Sequence, residues 1–435
     1  MEIKPFKAIR FDPEKVGGDA GKCISPPYDV VNDEQRQALY DRSPYNIIRI
    51  TKGKSFDGDN EKENQYTRAS ATLGDWIEKG ILKEDSSEAI YGYVQNFEIA
   101  NQNFQRISFV ALAKLEDFGK IVRPHEQTLK GPIVDRLNLT RATSCRFGLI
   151  YLMYEDKKKI ADTIIEQSLK NAPLIDFLDD QNVRHRLFSI TDKKSTDAIS
   201  KMMKPKSCII ADGHHRYTTG LIYANENPAA RYQMLSFTNT AHPGLVVLAT
   251  HRVVNNLSNF DKGKFLASLK EIFEVTALSF NSSAAKTKAK ETLFVQMKTL
   301  CDKGENAFGI YLGGNAFYLA VLQNKKAMDS AAPDKSKPWR SLDVAVLHKL
   351  IIEKILDLDE EKVSHEKNLE YVKDTPNAVD DLIAAIDTGE KQIALFMNPP
   401  KIQQIQDVAD QGERMPQKST YFYPKVYTGL TINKL

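Results

Sequence analysis

The chain has 435 residues, of which 42% are hydrophobic and 27% charged, and its 60 basic and 57 acidic residues give a net charge of only +3. This composition is typical of a globular protein and argues against disorder and against a concentrated basic surface for nucleic acid. At roughly 150 residues per domain, the length predicts two or three domains.

The first 145 residues are predicted to form an α+β region. Helical patterns cover residues 33–40 and 66–79, and two alternating runs at 89–98 and 106–116 predict an antiparallel hairpin. An irregular polar stretch with an adjacent histidine and glutamate follows the hairpin.

From residue 147 onward, predicted strands and helices alternate. The strands are expected at 147–154, 183–190, 207–211, 234–238, 245–248, 275–278, 310–312 and 317–322, and the helices at 158–170, 196–203, 217–225, 262–272, 284–299 and 342–356. This alternation predicts a mixed α/β protein.

The segment Asp212-Gly213-His214-His215-Arg216 carries the strongest chemical signal. It follows an apolar strand and opens a helix, whose free N–H groups and positive dipole end favour an anion. Arg216 adds a planar, permanently charged guanidinium suited to phosphate, and Gly213 allows close approach of a ligand. The segment therefore predicts a site for a phosphorylated ligand.

The acidic and imidazole groups of this segment leave several roles open. Asp212 is a candidate metal ligand or base, whereas His214 and His215 are candidates for hydrogen bonds to phosphate, proton transfer or metal ligation. The structural alternative is an N-capping aspartate followed by two histidines that belong to the scaffold.

Two other clusters carry weaker signals. His125 and Glu126 are candidates for a general base or for metal ligands, and the nearby Asp135 and Arg136 for an ion pair at a helix end. Near the C-terminus, one interpretation places Lys418, Ser419 and Thr420 against phosphate, and the other places residues 415–425 in a strand that packs by its aromatic face.

Several familiar signatures are missing from the sequence. There is no GxxxxGK[ST], GxGxxG or GxSxG motif, and the kinase set of HRD and DFG motifs is incomplete because HRD does not occur. The four cysteines are far apart, so we expect buried thiols in a reducing compartment. The sequence also lacks a signal peptide and a run of about 20 apolar residues, which predicts a cytoplasmic protein without a membrane partner.

Five segments together resemble a known family. They are SPPYDV at 25–30, SPYN at 43–46, HEQT at 125–128, ADGHHRY at 211–217 and MPQKSTYFYPK at 415–425. In this order they resemble a bacterial and archaeal family of unknown function, domain of unknown function 1015, which is often described as ParB-like.

The glycine-led segment also resembles the phosphate-binding signature of the ParB and sulfiredoxin superfamily. The resemblance implies a nucleotide-binding core over residues 146–260, between an N-terminal α+β region (1–145) and a C-terminal α/β region (261–435). His214 stands where sulfiredoxins carry the catalytic cysteine, so sulfiredoxin activity is not expected. No helix-turn-helix reader is recognisable, so no nucleic-acid partner is expected.

One branch of that superfamily phosphorylates free serine. Similarity to this branch implies a small-molecule kinase that uses ATP or ADP with Mg²⁺ near Asp212, with Glu126 as candidate base and His214 as a further candidate catalytic residue. The residues implied for binding the nucleotide are Gly213, His215, Arg216, Tyr217, Lys418, Ser419 and Thr420.

Three hypotheses remain at this point. The first is a nucleotide-dependent phosphotransferase acting on a small hydroxyl metabolite, with L-serine foremost. The second is a nucleotide-binding sensor or adaptor without catalysis. The third is a metal-dependent hydrolase that uses the histidines and acids at residues 125, 126, 212, 214 and 215 as ligands.

Overall fold

The computed structural model describes residues 1–126, 128, 130–358 and 368–435. Gln127 of the predicted His-Glu segment lies outside the described residues. The chain divides into two compact units, one formed by residues 1–246 with 424–435 and the other by residues 247–423.

In chain order the strands are β1 (Ile3–Lys4), β2 (Ile9–Phe11), β3 (Leu82–Glu84), β4 (Ile90–Ile99), β5 (Gln102–Lys114), β6 (Val122–Arg123), β7 (Cys145–Gly148), β8 (Ile150–Tyr154), β9 (Ile175–Leu178), β10 (Arg184–Ile190), β11 (Cys208–Asp212), β12 (Tyr232–Asn239), β13 (Val246–Leu248), β14 (Thr250–Val254), β15 (Phe273–Ser279), β16 (Ala307–Tyr311), β17 (Ala316–Leu322), β18 (Leu369–Lys373), β19 (Ile393–Phe396), β20 (Tyr421–Tyr423) and β21 (Thr428–Lys434).

The α-helices are α1 (Asp33–Arg42), α2 (Ile48–Thr51), α3 (Gln65–Glu78), α4 (Lys130–Thr143), α5 (Ile160–Ser168), α6 (Lys193–Met203), α7 (His214–Glu226), α8 (Lys262–Lys270), α9 (Ser283–Asp302), α10 (Ala327–Ala331), α11 (Lys337–Arg340), α12 (Asp343–Val346), α13 (Ala378–Asp387) and α14 (Ile402–Asp410). Helix α12 continues into a π-helix, Leu347–Ile355. Short 3₁₀ turns cover Ala20–Cys23, Tyr28–Val30 and Pro228–Ala230.

The first unit is built on a mixed nine-stranded sheet in the order β6-β11-β8-β12-β5-β4-β10-β9, with β1 added beside β5. The pairs β6–β11 and β8–β12 are parallel, and the other neighbours are antiparallel. Apolar side chains of the sheet pack against Ile165 of α5, Met203 of α6 and Tyr217 of α7 in one core. A second sheet, β3-β2-β21-β7, completes this unit.

The second unit is built on an antiparallel sheet in the order β15-β17-β16-β19-β14-β18. Leu293 and Met297 of α9 pack with Leu382 of α13 and Phe396 of β19 in its core. Strands β13 and β20 form a separate two-stranded ribbon.

The mixed α/β class predicted from the sequence is confirmed, and so are the hairpin and the alternation of elements through residues 147–226. The hairpin turn lies at Ala100 and Asn101, whose φ angles of 49° and 61° give the left-handed geometry of a tight two-residue turn. The boundaries predicted at residues 145 and 260 stay a prediction, although strands from both sides of residue 145 share one sheet.

Cys23, Cys145 and Cys208 are buried thiols, as predicted, whereas Cys301 is half-buried. Along the described residues, no helix combines the length and the apolar character that crossing a lipid bilayer requires.

Candidate functional site

The candidate site lies where two parallel strands of the first unit end. Val122 of β6 is paired with Cys208 of β11, and both strands run in the same direction. The segments that follow them therefore leave the sheet at the same edge, which is where open α/β sheets usually bind ligands. This topology brings His125, after β6, to the turn that follows β11.

The turn itself is made by Gly213. Its φ of +94° is left-handed, and it is the N-cap of α7, which begins at His214. A register shift between Ile210 and Asp212 in the pairing with β8 lies directly before the turn. Because glycine has no side chain, it cannot cap the helix, so the first N–H groups of α7 lack the usual capping oxygen from this position.

Asp212 is held between two cations. Nη2 of Arg216 donates to its Oδ2 at 2.9 Å, and Nζ of Lys425 donates to its Oδ1 at 2.9 Å. Burial alone would raise the pKa of Asp212, but the charges of Lys425 and Arg216 outweigh it and hold this pKa below its ordinary value. The carboxylate is therefore ionised at neutral pH.

The guanidinium of Arg216 is fixed by more than this ion pair. Its Nη1 donates to the Leu149 carbonyl, and its side chain is only 10% exposed. It also lies over Gly213, where an added Cβ would come within 3.1 Å of Cζ, Nε and Nη2. The backbone and the position of Arg216 therefore both favour glycine here.

The two histidine clusters meet in space. The backbone N–H of His125 donates to Nε2 of His214 at 3.2 Å, and the two buried rings are 4.8 Å apart in an edge-to-face arrangement. Nδ1 of His125 lies 2.5 Å from the carbonyl of Ile210, so this nitrogen carries the proton. Burial lowers the pKa of His125, which keeps the ring neutral.

The other predicted residues of this unit lie around the same turn. Glu126 and His215 are half-buried. The negative charge of Glu126 offsets part of the lowering of the His125 pKa that burial causes. Tyr217 is completely buried, and its hydroxyl donates to the Glu116 carbonyl at 2.8 Å and accepts from the Glu116 N–H at 3.0 Å. Its side chain thus anchors α7 in the core.

The remaining predicted binding residues belong to the second unit. Lys418 is exposed, with its carbonyl accepting from Nη2 of Arg252 at 3.1 Å. Ser419 is buried and donates to the Pro416 carbonyl. The predicted role of Lys418, Ser419 and Thr420 in holding phosphate stays a prediction.

The metal-hydrolase hypothesis required a cluster of ligands. Among residues 1–126, 128, 130–358 and 368–435, no three His, Cys, Asp or Glu side chains are grouped so that they could share a metal ion. His125 and His214 are instead engaged with the backbone and with each other. The hydrolase hypothesis stays a prediction.

Sequence reasoning missed Lys425 as a partner of Asp212. Lys425 was recognised only as the last residue of the MPQKSTYFYPK segment, because nothing local links it to a residue 213 positions earlier. The predicted ion pair of Asp135 and Arg136 is present, with Nη2 of Arg136 2.5 Å from Oδ2 of Asp135, but the prediction that it lies at a helix end is wrong because both residues lie inside α4.

Fold and site together define a mixed α/β protein whose polar groups converge on a glycine-led strand-to-helix turn. The chain belongs to the family described as protein of unknown function (DUF1015), whose model matches residues 3–345. No curated protein is significantly similar to it.

Solved structures that are similar to the chain include a conserved hypothetical protein from Pyrococcus furiosus, with 15% identity, 75% of this chain and 94% of that chain covered, and a TM-score of 0.34. A free serine kinase in complex with AMP matches with 14% identity, coverage of 72% and 86%, and a TM-score of 0.34. SbnI with a C-terminal truncation, from Staphylococcus aureus, matches with 9% identity, coverage of 73% and 84%, and a TM-score of 0.33. Similarity at this level assigns no role to any residue of this chain.

Proposed function

We propose that the turn at Gly213 binds the phosphates of ATP or ADP and that the protein transfers a phosphoryl group to the hydroxyl of a small metabolite, with L-serine as the first candidate. The same proposal places the turn in the ParB and sulfiredoxin superfamily. The observation that carries it is an uncapped helix start next to one carboxylate and two cations.

The charges at the turn favour a phosphate. Asp212, Arg216 and Lys425 together carry one excess positive charge, and the N-terminus of α7 adds the positive end of the helix dipole. Backbone N–H groups at such a start are suited to phosphate oxygens, and a guanidinium adds charge-assisted hydrogen bonds. In this proposal Arg216, His215 and the amides after Gly213 hold the phosphates.

The groups that would act on the acceptor lie on the segment after β6. Glu126 is the proposed base for the acceptor hydroxyl, because it is only half-buried and stands at the same edge of the sheet as the turn. Nε2 of His214 accepts the His125 N–H, so we assign His214 the task of holding this segment in place. Positioning and charge neutralisation supply most of the catalysis in phosphoryl transfer.

Asp212 does not fit a resident magnesium site. Both of its oxygens accept hydrogen bonds from cations, Oδ2 from Arg216 and Oδ1 from Lys425. In this proposal Mg²⁺ therefore belongs to the nucleotide substrate, bound through its phosphates. The role of Asp212 is to orient the two cations, and no step depends on its binding a metal.

The test is formation of phosphoserine from L-serine with ATP-Mg²⁺ or ADP-Mg²⁺, followed by mass spectrometry. We expect Glu126→Gln to abolish turnover while nucleotide affinity stays within about twofold of the wild type, because the base acts on the acceptor and not on the phosphates. Glu88→Gln, at an exposed glutamate, is the matched control and should keep full activity.

Two outcomes would revise this assignment. Turnover that survives in Glu126→Gln would remove Glu126 as the base. Nucleotide binding without turnover on any small hydroxyl compound would replace the phosphotransferase by the sensor or adaptor, which needs the same phosphate site but no base.

A further inference from the structure

The first unit contains a buried arginine, Arg146, that the proposed mechanism does not use. Arg146 lies on β7 and is only 5% exposed. Its Nη1 is 3.4 Å from Oγ1 of Thr140, and its guanidinium lies 5.4 Å from the centre of the Tyr223 ring. Its Nε and Nη2 have no hydrogen-bond partner in the described parts of the chain.

No acidic side chain of the described residues balances the charge of Arg146. Across residues 1–126, 128, 130–358 and 368–435, no carboxylate lies within ion-pair distance of it, whereas Arg136 and Arg216 are paired with Asp135 and Asp212. Burial lowers the pKa of Arg146 to about 10, so the side chain remains charged at neutral pH. A buried charge is normally paired or hydrogen-bonded, and two donors of Arg146 are neither.

Arg146 lines a cavity of about 50 Å³. One water needs on the order of 10–15 Å³, so the cavity admits several waters or one small anion. Arg136 and Arg216 also line it, together with Tyr28, Gln233 and Thr428.

Gln233 adds a second, independent observation. It is only 2% exposed, and its side-chain oxygen also lacks a hydrogen-bond partner in the described part of the chain. Its amide can present either its N–H₂ group or its oxygen to the cavity. Two buried polar side chains with unused hydrogen-bonding atoms thus line the same small space, which is the arrangement of a binding site and not of a dry core.

We propose that this cavity binds a small phosphate-type oxyanion, either inorganic phosphate or the phosphoryl group of a small metabolite, with Arg146 as its principal ligand. Guanidinium groups bind such oxygens through two parallel hydrogen bonds. The proposal goes beyond the nucleotide site because it requires no nucleotide. Since Arg216 lines the cavity and also binds Asp212, an anion here would share that arginine with the turn.

The test is a thermal-shift titration of the full chain with sodium phosphate, against sodium chloride at equal ionic strength and with no nucleotide present. A ligand that binds only the folded state raises the melting temperature, and we expect a rise of roughly 2–4 °C or more in saturating phosphate. Arg146→Leu should abolish this rise. Arg141→Leu, at an arginine that is 49% exposed and paired with Glu226, should retain it.

A second variant keeps the test decisive if Arg146→Leu does not fold. Gln233→Glu has nearly the same shape and places a carboxylate beside the cavity, so it should abolish the phosphate effect and raise the melting temperature of the ligand-free protein by balancing Arg146. The proposal is overturned if phosphate does not stabilise the wild type beyond chloride, or if the effect survives in Gln233→Glu and in a folded Arg146→Leu.

Two further comparisons separate the sources of the anion and separate this site from the nucleotide site. Stabilisation by O-phospho-L-serine at a lower concentration than inorganic phosphate would support a metabolite, and the reverse order would support the free ion. A phosphate effect without any nucleotide effect would support this cavity while refuting the proposed function. A nucleotide effect without a phosphate effect would overturn this proposal alone.

Discussion

Gly213→Ala tests whether the place of Arg216 matters for ligand binding. A left-handed backbone costs a non-glycine residue roughly 1–2 kcal/mol, and the φ of Gly213 is +94°. The new Cβ would also lie 3.1 Å from three atoms of the Arg216 guanidinium, closer than the ordinary carbon contact of about 3.5–4.0 Å. Since Arg216 is held by Leu149 and Asp212, it has to shift by a few tenths of an ångström against both contacts.

The matched control is Gly18→Ala, because Gly18 has a φ of +86° and no atom within 4 Å of an added Cβ. In both variants the left-handed backbone should destabilise the fold by this roughly 1–2 kcal/mol. The melting temperature should therefore fall by roughly 2–8 °C for a unit of about 250 residues. Only Gly213→Ala should also weaken nucleotide binding, by about 1 kcal/mol or roughly fivefold in Kd. Calorimetric titration with ATP measures this difference, and equal Kd values for the two variants would refute the reasoning.

Two further expectations follow from the contacts at the turn. Lys425→Met removes one cation from Asp212 and should lower the free energy of unfolding by roughly 1–3 kcal/mol at pH 7. The pKa of Asp212 is depressed in the folded state, so this stabilisation is present above the ordinary pKa of 3.8 and is lost as the pH falls through the folded pKa. Urea melts of the wild type and the variant should therefore converge in acid. A stability difference that persists unchanged at low pH would rule out the ion pair as its source. Tyr217→Phe removes both hydrogen bonds to the Glu116 backbone and should cost about 1–2 kcal/mol while leaving ATP affinity unchanged; a large loss of affinity would instead give Tyr217 a direct role in binding.

Local patterns predicted much of the first unit. The apolar run at 207–211, followed by glycine and polar residues, was predicted as a strand and a helix, and the structure has β11 and α7 there. The alternating runs around Asn101 were predicted as a hairpin because side chains on a strand change faces at every residue. Each of these two signals comes from residues that are close to one another in the sequence.

The sheet order and the partners of the site could not be predicted in the same way. Strand β12 lies between β8 and β5, and His125 contacts His214 across 89 positions of the chain. Such pairings depend on the whole packing of the unit and not on local periodicity. Arg146 shows the same limit, since a charged residue in a short strand usually indicates a solvent-facing position, whereas this one is buried.

The most direct test of the phosphate site is calorimetric titration of ATP and ADP, each with Mg²⁺, into the wild type, Arg216→Met and the control Arg141→Met. We expect the wild type and Arg141→Met to bind a nucleotide with equal affinity, and Arg216→Met to bind it at least about tenfold more weakly, which is 1.4 kcal/mol. A folded wild type that binds neither nucleotide, or an Arg216→Met variant that binds as tightly as the wild type, would contradict the proposed site.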